Sequence, residues 1–182
     1  DVAIPPARAI KTPPPIAADP ALIDQAADML TAADYPLLLT EFAARAPIGY
    51  APTVALAEAV GAAVFDINKR LGFPNRHKLS VGFHEDAFVG ADLVAALDVV
   101  DWTRGSHKLN RQTREIEQIV SHDCKWIDVG FADIEISKWA TDYNKHNDWN
   151  LRILADTAKA IPALTEAVVR RARRDLRRAG LG

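Results

Sequence analysis

Apolar positions along this chain gather into five short runs, each closed by a carboxylate: PLLLTE (36–41), AAVFD (62–66), DLVAALD (92–98), KWID (125–128) and LRILAD (151–156). Each has the length of a strand and a near-continuous apolar reading, which predicts parallel strands covered on both faces. Helical periodicity separates them. Leu22, Ile23, Ala26, Ala27 and Leu30 predict an amphipathic helix over about 20–33, broken at Asp34-Tyr35-Pro36. TVALAEAVGA (53–62) reads as a second helix stopped at Gly61, and a long one runs from about Thr157 to Ala179 with Ile161, Leu164 and Val168 on its packed face. Pro162 falls in the first turns of that helix, where lost backbone donors matter least. The remaining segments read as a loop with a short extended piece (73–82), a helix around 111–120, a short helix or turn at ADIEIS (132–137) and a polar connection over 140–150. The alternation predicts one α/β domain, a three-layer αβα sandwich on a mostly parallel, Rossmann-like sheet.

In such a sheet, ligands sit in the crevice beyond the carboxyl ends of the strands. Here that edge carries Glu41, Asp66, Asp98, Asp128 and Asp156. The plainer role for an acid at a strand-to-helix junction is to cap the helix or favour its positive end. As lining residues of the crevice the sequence nominates Glu41, Arg45, Asp101, Trp102 and Asp128. For Trp102 a packing plug is the alternative to a ligand platform.

Residues 1–20 hold Pro5, Pro6, Pro13, Pro14, Pro15 and Pro20 among small residues, an extended linker running over a surface, so the domain proper is expected over 21–182. The start at Asp1, without an initiator methionine, adds the expectation that the chain is a piece of a longer polypeptide. At the other end, RRARRDLRR (170–178) closes the last helix with cations that suit its carboxyl end, a solvated face unless another domain or an anion meets it.

Length and composition are those of one ordinary globular domain. A net charge of −2 argues against nucleic acid as a partner, and no apolar stretch is long enough to span a bilayer. The lone Cys124 permits no internal disulfide and fits a reducing compartment, so a cytoplasmic location is expected.

Motifs that carry chemistry are sparse along the chain. A phosphate cradle needs small residues after the first strand, but the turn there is Glu41-Phe42-Ala43-Ala44-Arg45, with no glycine before Gly49. Ser80, His84 and Asp86 lie close together without the nucleophile-elbow motif. The groups His77, His84, Glu85, Asp86 and Asp142, His146, Asp148 lack a diagnostic metal-ligand spacing. No catalytic residue and no metal ligand is assigned.

Read in order, the segments resemble the central domain of thiamine diphosphate-dependent enzymes of the acetolactate synthase and benzoylformate decarboxylase type. The matching pieces are the Pro-rich lead-in, ALIDQAADMLTAADYPLLLT, ALAEAVGAAVFD, FPNRHKLSVG, GADLVAALDVVDW, KWIDVGFADIEISKW and LRILADTAKAIPALTEAV, with Ala63 and Lys78 at positions where the family has proline. The resemblance covers roughly residues 20–170 and implies a sheet of about six parallel strands, like that of NAD- and FAD-binding domains.

It also implies that thiamine diphosphate and Mg2+ belong to the parent enzyme and are not bound by this segment. They would sit between flanking pyrimidine- and pyrophosphate-binding domains, in a chain that acts as a homo-oligomer. The family's Gly-Asp-Gly motif has no counterpart, since no Gly-Asp pair occurs. In some relatives the central domain holds FAD or an adenine nucleotide. The FAD-binding ones carry glycines where this chain has Glu41 and Phe42, which implies an empty, structural or altered site. The expected role is a structural domain of a lyase or transferase acting on 2-oxo acids, inert alone. A freestanding Rossmann-type nucleotide-binding module is the alternative.

Overall fold

The computed structural model describes residues 13–45, 48–67, 72–82, 84–100, 102–131 and 148–178. In chain order the elements are α1 (Pro20–Ala32), β1 (Pro36–Thr40), α2 (Ala51–Val60), β2 (Ala63–Asp66), β3 (Leu93–Leu97), α3 (Trp102–Ser106), β4 (His107–Leu109), β5 (Ile116–Gln118), β6 (Lys125–Val129), β7 (Leu151–Ile153) and α4 (Thr157–Arg178), with a 3-10 turn at Glu85–Phe88. All five apolar runs are strands of one parallel sheet, ordered β2-β1-β3-β6-β7. Five strands stand where the resemblance implies about six. The extended piece at Leu79–Val81 is what remains of the other: it pairs with Val64 through a single parallel bridge at Ser80. Turn bonds from His77 N–H to the Pro74 carbonyl and from Ser80 N–H to the His77 carbonyl keep it from extending further. Counting that bridge, the order is that of a dinucleotide-binding sheet, with the winding reversing between β1 and β3.

Side-chain alternation along these strands feeds two cores. One contains Leu38, Val64, Ala95, Ile127 and Ile153 under α1, α2 and α4, which supply Ile23, Ala26, Leu30, Leu56, Ala57, Ile161, Leu164 and Val168. The other contains Leu37, Leu39, Val94, Ala96 and Trp126, covered by Phe88 of the 3-10 turn and by Trp102, Ile119, Val120 and Trp149. The sandwich is therefore asymmetric among the described residues, with three full helices on one face and short elements on the other. Gly105 lets α3 lie close on that second face, since a Cβ there would stand 2.9 Å from Phe88 and 3.2 Å from Leu39.

The helix boundaries follow from local chemistry. Asp19 Oδ1 accepts from Ala21 N–H at 2.8 Å and Pro20 opens α1, while Gly61 closes α2 in the left-handed region at φ 74°. Asp92 accepts from the amides of Asp34 and Tyr35 at 2.8 and 2.9 Å, pinning the α1–β1 turn to the start of β3. Burial works to raise the Asp92 pKa, but these amides and those of Asp92 and Leu93 outweigh it and hold the carboxyl below its usual range.

One expected helix is not there. Residues 107–109 and 116–118 form an antiparallel hairpin instead of a helix around 111–120. Asn110 Oδ1 accepts from Gln112 and Thr113 amides, and Arg114 takes a left-handed φ of 64°; together they close a turn where a helix would have to start. The segment ADIEIS and residues 140–147 lie outside the described residues. No helix among the described residues is long and apolar enough to cross a membrane.

Candidate functional site

The winding reversal puts the carboxyl ends of β1 and β3 side by side, and Glu41 and Asp98 are the first residues past those ends. Glu41 is 4% exposed; its carboxylate turns inward and accepts the Val100 amide at 2.9 Å. Phe42 N–H in turn donates to the Asp98 carbonyl at 3.1 Å. These two bonds lace the loop after β1 to the loop after β3 across the mouth of the crevice.

Asp98 continues the network. It is buried in the left-handed region at φ 53°, its amide donates to the Val129 carbonyl, and its carboxylate pairs with Arg45 Nη2 at 2.9 Å. Gly130 is pressed against it at φ 142°, and a Cβ at that position would lie 2.9 Å from Asp98 Oδ1 and 3.0 Å from its Cα. One strand further on, Asp128 is register partner of both Ala96 and Arg152. Its Oδ2 is 3.5 Å from Arg152 Nε, an ion pair without hydrogen-bond geometry, and the residue is 2% exposed. Burial pushes its pKa up to about 7; Arg152 pulls it down and Asp98 adds to the rise.

Of the nominated residues, Arg45 pairs with Asp98 and Glu41 holds the Val100 amide at the carboxyl edge, while Asp128 lies within β6 against Arg152. Asp101 lies outside the described residues. Trp102 folds back over the second face, its ring 5.8 Å from Trp126 and 6.3 Å from Trp149, edge to face. Those partners belong to the amino ends of β6 and β7, so Trp102 packs in a tryptophan cluster away from the strand carboxyl ends. The remaining strand-end acids serve the backbone: Asp66 Oδ2 accepts Gly72 N–H at 3.0 Å, and Asp156 Oδ1 accepts Ala158 N–H at 3.0 Å as the cap of α4. Ser80 stands at the edge bridge with its amide donating to the His77 carbonyl, and His84 stands exposed before the 3-10 turn.

Arg152 is the participant not nominated from sequence. Its signal was present in a guanidinium set within an otherwise apolar three-residue strand, where an anion beside it offsets the cost of its partial burial. Finding which anion required the β6–β7 register.

A diphosphate does not fit this edge. Binding one needs free amides and space at the turn after β1. Here a carboxylate occupies that point and already takes the Val100 amide, with Asp98 and Asp128 behind it.

Among solved structures, the chain superposes on a thiamine diphosphate-dependent enzyme from Mycobacterium smegmatis (TM-score 0.64, 18% identity) over 91% of its own length and 31% of that chain. It superposes on benzoylformate decarboxylase from Polynucleobacter necessarius (TM-score 0.63, 18% identity) over 92% of its length and 30% of that chain. This chain shares its fold with a domain-sized part of such enzymes. It spans about 30% of their length. No protein-family model and no curated protein matches the sequence.

Proposed function

We propose that this chain is the central structural domain of a thiamine diphosphate-dependent lyase or transferase acting on 2-oxo acids. Residues 21–182 form the domain and residues 1–20 the linker that leads into it. Thiamine diphosphate and Mg2+ are held by flanking domains of the intact polypeptide, and this segment positions those domains without touching the cofactor. The observation that carries the reading is the fold match, which takes in nine-tenths of this chain and under a third of two such enzymes. The ordered series of family-like segments from ALIDQAADML to LRILAD supports it independently. The closed crevice supports the structural role, because Glu41 and Phe42 tie down the groups a nucleotide would use.

Two measurements test this. Calorimetry on the 182-residue chain with thiamine diphosphate and Mg2+, FAD or ADP should give no binding heat. The complete gene product, supplied with benzoylformate or pyruvate, should release CO2 only when thiamine diphosphate and Mg2+ are present. Tight binding of FAD or ADP by the isolated chain would replace this reading with the freestanding nucleotide-binding module.

A further inference from the structure

The last two turns of α4 carry a pattern that neither packing nor the carboxyl edge explains. Arg170, Arg173, Arg174, Arg177 and Arg178 stand at i, i+3, i+4, i+7 and i+8, which is one face of a helix. All five are exposed and line an open groove of about 500 Å³. Lysine is absent from the run, so every cation offers the planar fork that matches a carboxylate in two-point contact.

Two features separate this stripe from an ordinary solvated helix end. First, like charges three and four residues apart repel along the helix, and the benefit from the helix dipole reaches only the last turn. Asp175, the sole acid within 170–178, lies off the stripe; among the described residues Arg170 pairs with Asp24 at 3.4 Å and Arg174 feels the charge of Asp28, while Arg177 and Arg178 lie further along the helix, beyond these two acids. Second, the helix is held rigidly at the base of the stripe. Arg171 is buried and bonded to Asp28, to Asp24 Oδ1 at 3.1 Å and to the Asp24 carbonyl at 2.7 Å. Beyond that clamp α4 continues through residues 172–178, about 10 Å at 1.5 Å per residue.

We infer that this guanidinium stripe is a docking surface for a carboxylate-bearing face of another protein domain. Charge selects the occupant. The chain is net −2 although residues 170–178 hold six arginines and one acid, so the stripe is a basic spur on an acidic body. An acidic body repels a rigid or flat polyanion wider than the spur, such as duplex nucleic acid or an anionic lipid surface, while Asp and Glu side chains on a local patch or a flexible chain can engage the spur alone. The inference stands apart from the reading of the carboxyl edge, which involves none of these residues.

Poly-L-glutamate serves as the probe, titrated into the 182-residue chain at 150 mM salt beside a short duplex DNA and phosphatidylserine vesicles. Polyglutamate should bind most tightly, and the triple variant R173Q/R174Q/R177Q should lose at least tenfold in affinity. The control R111Q/R114Q, on the hairpin turn, should bind as the parent does. The altered side chains are exposed, and unchanged circular dichroism and urea midpoint verify the fold. Absent polyglutamate binding, an unaffected triple variant, an equal loss in the control, or equal or tighter binding of DNA or vesicles would each overturn the proposal.

Discussion

At the scale of single residues, the carboxyl edge places a buried acid where its charge is hard to sustain. Asp128 has an elevated pKa, about 7, against 3.8 for an ordinary aspartate. The folded state therefore holds a proton that the unfolded state releases, and stability falls as pH climbs from about 4 to about 7, then levels. At 1.36 kcal/mol per unit, a rise from 3.8 to about 7 corresponds to a loss on the order of 4 kcal/mol. Asp128→Asn keeps the neutral shape, so its urea-derived stability should decline less over that interval than the parent's. Parallel curves would refute the assignment. Gly130→Ala should cost about 2–3 kcal/mol, because its φ of 142° and the nearby Asp98 backbone leave no place for a Cβ. An unchanged thermal midpoint would show that the Asp98 turn can yield. The strand-end acids were legible in sequence; their separate roles were not. Asp156 caps a helix as its position suggests and Asp66 bonds the Gly72 amide nearby in sequence, whereas Glu41 and Asp98 serve loops whose partners lie far away along the chain.

At the scale of elements, boundaries were readable wherever a local signal set them. Pro20 after Asp19 starts α1, Gly61 ends α2, and both lie where periodicity puts them. In the hairpin, Ile116, Ile119 and Val120 mimic helical spacing, yet only Ile119 and Val120 pack on the sheet and Ile116 is 56% exposed. Between elements, Arg171 fastens α4 to α1. Arg171→Met retains the stem and removes the fork, and should destabilise by about 1–2 kcal/mol, less than a fully buried pair because both aspartates face solvent. The hydrogen bond from Arg171 holds the Asp28 carboxyl below its usual range, outweighing the small effect of burial. Its contribution is present above the ordinary aspartate pKa and disappears as pH falls through the depressed one. The destabilisation caused by Arg171→Met should accordingly shrink on acidification, a trend that chemical denaturation at pH 7 and pH 3 checks.

For the whole molecule, the sheet is covered on both faces by its own chain, three helices on one side and the tryptophan cluster with short elements on the other. Each layer alone would leave strands β1, β3 and β6 with an exposed apolar face. The two layers should unfold together: far-UV circular dichroism, dominated by the helices, and tryptophan fluorescence should trace one urea transition. Separate midpoints would mean that the second face is a loosely attached layer. A domain built this way can hold neighbouring domains apart at fixed spacing without chemistry of its own, which is the role proposed for it.

Sequence alone determined the five strands of the main sheet, the three long helices and the parallel class of that sheet, because burial on two faces and helical amphipathicity are local, periodic demands on side-chain polarity. It also excluded a glycine-rich phosphate turn at Glu41-Phe42. Tertiary structure decided strand order, and with it which acids meet: Asp98 and Asp128 are thirty residues apart and become neighbours only through the β3–β6 pairing. Whether a carboxylate caps, pairs or keeps its proton depends on desolvation and on charges a few ångströms away, and those distances are properties of the packed chain.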